Sequence, residues 1–283
     1  MVRLNLNITD TNSSNIAYMK NILVPIGHRK SALNTLNYAI DFAKCFDAKI
    51  YLVHVFSSTR VSGSFLNIDQ LMLEESNKIL QEYLEKVDRK GVEIYSASLK
   101  GYDILDSLKM IIDNYNIDLI ISSAKNDDSD KTYFIGKITG ALIKDTATPI
   151  IVVPKKSKFG AIHKILMTLK SGSIKSVTTL DPLISIQKKF NTEINLLQVK
   201  TPMFNEQDNE LNETLESIIK ERISTRNATV FQGVLEYLHE EAPDMLCVIR
   251  RKRGFFAKLW EQDRVKKIDF EATIPLLILK GIA

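Results

Sequence analysis

The chain has 283 residues, of which 45% are hydrophobic and 25% charged, with a formal net charge of +4. That length suits two domains of ordinary size, and that composition lets each bury a core, which excludes a disordered chain. The charge is too small for a nucleic-acid footprint unless it is concentrated, and no apolar run is long enough for a membrane span.

Residues 1–18 are rich in Asn, Ser and Thr and read as a flexible leader, with Met19 as an alternative start. The first apolar run, KNILVPIG at Lys20–Gly27, is strand-sized, and Ser31 follows as a cap for a helix carrying Leu33, Leu36, Ile40 and Ala43 on one face. A second strand is expected at Ala48–Val55 (AKIYLVHV), then a helix over Leu71–Val87 with Glu82 and Lys86 at helical spacing. Tyr102–Tyr115 reads as a helix with Ile104, Leu105, Leu108, Ile111 and Ile112 inward, and DLIISS at Asp118–Ser123 as a strand. The helix Ile135–Lys144 and the strand ATPIIVVP at Ala147–Pro154 complete the first half, and Ser157–Gly160 reads as the linker.

The second half repeats this order. HKILMTLK at His163–Lys170 answers KNILVPIG, and TEINLLQV at Thr192–Val199 answers AKIYLVHV. DMLCVI at Asp244–Ile249 answers DLIISS, and ATIPLLILK at Ala272–Lys280 answers the closing strand. Four matches in one order indicate a duplication. The helix before the third match, Val234–Glu241, reads as notably short. Strands apolar on both faces, alternating with amphipathic helices, define an α/β class with a doubly wound parallel sheet. The expected domains are 19–156 and 160–283.

The two cysteines, Cys45 and Cys247, lie far apart without CxxC spacing, so free thiols in a reducing cytoplasm are expected. The histidines His28, His54, His163 and His239 show no metal-ligand spacing, and His54, within a strand, reads as a satisfied buried imidazole. There is no GxSxG elbow, Walker lysine loop or GxGxxG after a strand, so no catalytic residue is assigned. Neither a metal nor a cofactor is expected.

ILVPI at Ile22–Ile26, ATPIIVVP at Ala147–Pro154 and DMLCVIRRKRGFFAKLW at Asp244–Trp260 together resemble the universal stress protein family in its two-domain form. The resemblance implies two Rossmann-like (adenine nucleotide alpha hydrolase-like) domains, each a five-stranded parallel sheet of order 3-2-1-4-5. It also implies that the closing strands pair across a pseudo-twofold axis, so that one chain imitates a dimer. Higher assembly stays open.

In such a sheet a ligand lies at the carboxyl ends of strands 1 and 4. The family's nucleotide-binding members have an acidic residue after strand 1, then Gly-x-x-Gly, nine residues, Gly and Ser or Thr after strand 4. Here Gly27 stands at the acidic position, Ser123 and Asn126 at the first two glycines, and Lys137 follows Gly136. Pro25, Gly27, His28, Ser123, Asn126, Gly136 and Lys137 therefore outline a degenerate nucleotide site, with Asp127, Asp128 and Asp130 adding repulsion for a triphosphate.

In the second half, Arg250, Arg251, Lys252 and Arg253 follow strand 4, and Cys247–Ile268 holds eight basic and two acidic residues. That run is either a solvated cationic loop or an anion or partner site, with Phe255, Phe256 and Trp260 beside it. The expectation is a stress-response binding or scaffold module rather than an enzyme. The alternatives are a nucleotide sensor with weak ATPase activity, holding ATP with Mg, and an unidentified protein partner taken by the Arg250–Trp260 patch.

Overall fold

The computed structural model describes residues 19–27, 31–56, 68–124, 135–169, 174, 176–250 and 274–280. They form one ten-stranded sheet of order β3-β2-β1-β4-β5-β10-β9-β6-β7-β8. The first half supplies β1 (Asn21–Ile26), β2 (Lys49–Phe56), β3 (Ile94–Lys100), β4 (Leu119–Ser123) and β5 (Ile150–Val153). The second supplies β6 (Lys164–Leu169), β7 (Glu193–Lys200), β8 (Glu221–Arg226), β9 (Met245–Arg250) and β10 (Leu276–Lys280). Each half runs 3-2-1-4-5 with parallel neighbours, and the halves join where β10 runs antiparallel to β5, Leu277 opposite Ile151. Joining two apolar closing strands removes two edges that would otherwise invite association.

The helices are α1 (Ser31–Phe46), α2 (Ile68–Glu85), α3 (Ile104–Asn114), α4 (Lys137–Asp145), α5 (Asp181–Phe190), α6 (Glu213–Ile218) and α7 (Val230–Glu241). They cover the sheet on both faces, so alternate residues of each central strand enter two cores. Ile22, Val24, Ile151 and Val153 pack with α1 and α5 residues such as Leu36, Phe42 and Leu183. Leu23, Ile120, Ile150 and Val152 pack on the other face with Leu108, Leu142 and Val234.

The duplication reaches individual hydrogen bonds. The Asp118 carboxylate accepts from the amides of Lys20 and Asn21 at 2.9 and 3.0 Å, and Asp244 accepts from His163 and Lys164 at 2.7 and 2.9 Å. In each half the aspartate before strand 4 ties down the start of strand 1. Similarly, α1 and α5 are each followed by a left-handed residue, Asp47 (φ 49°) and Asn191 (φ 53°), types that tolerate that conformation.

One helix start differs from the sequence expectation. Helix α7 begins at Val230 rather than Val234, capped by the Thr229 hydroxyl, which accepts from the amide of Gln232. Gly233 hides this start from a propensity reading. Its position is a close approach, because a Cβ there would lie 2.8 Å from a Val199 methyl. The expected linker is anchored: Asn34 donates to the carbonyls of Pro154 and Ser157 at 3.2 and 2.9 Å. Phe159 meets Tyr38 edge-on at 5.2 Å and Phe190 of the second half at 6.1 Å.

Candidate functional site

The switch point of the first half lies between β1 and β4, whose chains leave toward opposite faces of the sheet. Leu23 pairs with Ile120, and carrying that register forward sets Pro25 beside Ser122 at the carboxyl end. Pro25 lies near the end of β1 and Gly27 just beyond it, Ser123 ends β4, and Gly136 is the N-cap of α4, so the fold brings these four to one end of the sheet. Lys137 is the first residue of α4. His28 and Asn126 lie outside the described residues.

The local chemistry turns inward. Thr139, in the first turn of α4, donates its hydroxyl to the Ser123 carbonyl at 3.0 Å. With that proton committed, the Ser122 hydroxyl is the donor in its 2.8 Å contact with Thr139. Both side chains are buried. The Gly27 carbonyl accepts from the Tyr83 hydroxyl of α2 at 3.3 Å, and a Cβ at Gly27 would meet nothing within 4 Å. Gly136 is extended (φ −69°, ψ 161°) and gives α4 no side-chain cap, which leaves its first amides unserved by the cap residue. Tyr83, Ser122 and Thr139 carry no sequence signal, because their partners are distant along the chain.

These residues do not fit the nucleotide arrangement that the resemblance implies. The end of β1 offers no carboxylate, position 123 carries a side chain where a glycine would admit phosphate, and the hydroxyl nearest the α4 N-terminus is held by Ser123.

A second polar group lies beneath α2. His54 Nδ1 is 2.7 Å from the Ser76 hydroxyl, which donates to Ser98 at 2.7 Å. Ser76 thus accepts from Nδ1, which carries a proton. Ser76 is 1% exposed, so this serine and histidine form a structural chain with no access for a substrate. In the second half Gln198 takes the matching place, donating to the Asp208 carbonyl at 2.6 Å and accepting from Arg222 at 2.5 Å. Thr168, which matches Pro25, buries its hydroxyl without a hydrogen-bond partner among the described residues.

Of the basic run, Arg250 ends β9, and Arg251, Lys252 and Arg253 lie outside the described residues. The Arg250 guanidinium donates to the carbonyl of Ile143, and the Lys280 ammonium to that of Thr146, both at the C-terminal end of α4. Burial lowers the pKa of each, the Arg250 charge lowers that of Lys280 further, and Asp145 opposes both shifts. Among the described residues no three His, Cys, Asp or Glu side chains are grouped to hold a metal ion. Among them also, no helix is long and apolar enough to cross a membrane.

Residues 19–154 match the model of the universal stress protein family. A universal stress protein of Methanocaldococcus jannaschii is 26% identical over 144 residues, which cover 49% of this chain and 84% of that protein. A second from the same organism is 22% identical over 156 residues, covering 49% of this chain and 96% of its own. Over both halves, the crystal structure of a universal stress protein from Archaeoglobus fulgidus aligns with a TM-score of 0.68 at 16% identity. It covers 92% of this chain and 98% of its own, and it speaks to the fold alone.

Proposed function

We propose that the chain, whose residues 19–154 match the universal stress protein family, serves as a stress-response binding module whose first-half site does not hold ATP in the family's manner. The observation that carries this reading is the closed chemistry at the switch point. Gly27 brings no carboxylate, and the Thr139 hydroxyl beside the phosphate position is committed to Ser123. A binding role without turnover follows, since Ser76 and His54 are sealed beneath α2.

Mass spectrometry of small molecules released from freshly purified protein, with a calorimetric titration of ATP and magnesium, tests the proposal. The expected result is an empty protein and no heat of binding. Co-purified ATP or ADP, or a saturable heat, would overturn it in favour of a second reading, a nucleotide sensor with slow ATPase activity. One observation favours that second reading: the uncapped start of the nine-residue helix α4 at Gly136 offers amides and a positive helix end to an anion.

A further inference from the structure

Three tyrosine rings meet on the face of the first half that carries α3. Tyr51 of β2 pairs in register with Tyr95 of β3, and their rings stack with centroids 5.5 Å apart and 23° between planes. Tyr115, the residue that ends α3, meets Tyr51 at 4.9 Å with a tilt of 41°. Tyr51 is half-buried, whereas Tyr95 is 46% exposed and Tyr115 47%. The fold does not require these rings. In the second half Asn195 matches Tyr51, and Glu221, in register with Asn195, matches Tyr95.

Packing explains stacked rings, since aromatic neighbours across two strands stabilise a sheet. The hydroxyl of Tyr95 adds chemistry to the packing. It donates to the carboxylate of Glu93, just before β3. The Lys49 ammonium stands 3.1 Å from that carboxylate and 5.8 Å from the centre of the Tyr95 ring. Hydrogen bonds from Tyr95 and then Lys49 hold the Glu93 carboxyl below its ordinary range, so at neutral pH it is ionised and able to take a proton. The same hydrogen bond raises the pKa of Tyr95, so the resting phenol stays protonated. A phenol that has lost an electron becomes a strong acid, and its proton then has Glu93 as an acceptor already in contact.

We propose that Tyr51 and Tyr95 form an oxidative cross-linking site, joined as dityrosine when hydrogen peroxide acts on them through a one-electron haem peroxidase. Each phenol gives up one electron and one proton, that of Tyr95 to Glu93 and that of Tyr51 to water. The two radicals join through the ring carbons beside their oxygens, and the hydrogens on those carbons shift to the oxygens, which restores both phenols. The two electrons and two protons released reduce one hydrogen peroxide to two waters. Tyr51 couples to Tyr95 rather than to Tyr115 because those two planes lie closer to parallel and Tyr95 has the bonded carboxylate. The new bond staples the edge strand β3 to β2.

The test treats the dilute full chain with hydrogen peroxide and a haem peroxidase, then digests it with trypsin. Cleavage after lysine and arginine sets Tyr51 in the peptide Ile50–Arg60 and Tyr95 in Gly91–Lys100. The expected product is these two peptides joined, lighter than their sum by two hydrogens, with dityrosine fluorescence from a protein that still runs as a single chain. Tyr51→Phe and Tyr95→Phe should each lose that product, and Glu93→Gln should form it more slowly. Tyr102→Phe, which removes a ring 89% exposed and outside the stack, should form it as the unaltered chain does. Circular dichroism of each variant separates loss of the site from loss of the fold. Linkage only between two molecules, or through Tyr102 or Tyr115 in place of Tyr95, overturns the proposal. So does oxidation of Tyr102 with the Tyr51 and Tyr95 peptides left unjoined, because the oxidant would then have acted and passed the stack by.

Discussion

Arg250, the last residue of β9, donates from its guanidinium to the carbonyl of Ile143 in the last turn of α4. The second half of the chain thereby supplies a C-terminal cap to a helix of the first, and Lys280 adds a bond to Thr146 one turn on. Cations at that end of a helix also meet its negative pole.

Replacing Arg250 by Met keeps the aliphatic stem and removes the donors. The expected loss of stability is about 1.5–3 kcal/mol, the range for hydrogen bonds to a charged group. Urea unfolding measures it, with Arg226→Met on the exposed face of β8 as the control that changes little. A loss no larger than that of the control would show that the contact contributes nothing to stability.

Gly233→Ala sets two effects against each other. Alanine favours a helix by about 1 kcal/mol. Its methyl, however, would stand 2.8 and 2.9 Å from the two methyls of Val199 and 3.2 Å from that of Thr225. Overpacking of this kind costs about 1–3 kcal/mol, so the variant is expected to be destabilised. A raised melting temperature would mean that α7 lifts from the sheet without penalty.

Phe159 couples the halves. Its ring contacts Tyr38 and Phe42 on α1 and Phe190 on α5, at 5.2, 6.0 and 6.1 Å. Truncation to Ala is expected to cost about 2–4 kcal/mol, somewhat below a fully buried phenylalanine. Scanning calorimetry should show the single transition broaden or divide as the halves lose cooperation, and an unchanged endotherm would contradict that role.

Alkaline pH should weaken the fold. Burial raises the pKa of the Cys247 thiol and of the Tyr38 phenol. A folded-state pKa above the unfolded value gives stability that is complete below the unfolded value and declines as pH climbs from there toward the folded one. The decline begins near pH 8.5 for the thiol and near pH 10 for the phenol. Denaturation midpoints at pH 7.5, 9 and 10 should fall in that order, and Cys247→Val should remove the first part of the fall. A midpoint unchanged up to pH 10 would contradict the burial of the Cys247 thiol.

What the sequence disclosed followed burial. The runs Ile22–Val24 and Ile150–Val153 are buried throughout, so an apolar text marked them, and the paired order of eight such runs carried the duplication. The edge strands β3 (IYSASLK) and β8 (ERISTR) are partly solvated and spell no apolar run, so only the family resemblance supplied them. At the site, Gly27, Ser123 and Gly136 could be placed by counting along a motif. The Ser122–Thr139 contact could not, because the residues are 17 apart and meet only when α4 folds back over β4. Likewise His54 could be expected in a buried setting from its strand position, while Ser76 as its partner required the packing of α2.

Fusing two halves through β5 and β10 alters what a mutation can do. In a symmetric dimer every contact between residues i and j recurs as j and i, so one altered codon is felt twice. Here the positions that match Arg250 and Lys280 are Ala124 and Pro154, neither of which carries a donor side chain. From those two positions the first half returns no such grip. A lineage holding both copies on one gene is free to let one half depend on its neighbour, and the two switch points of this sheet need no longer answer to the same selection.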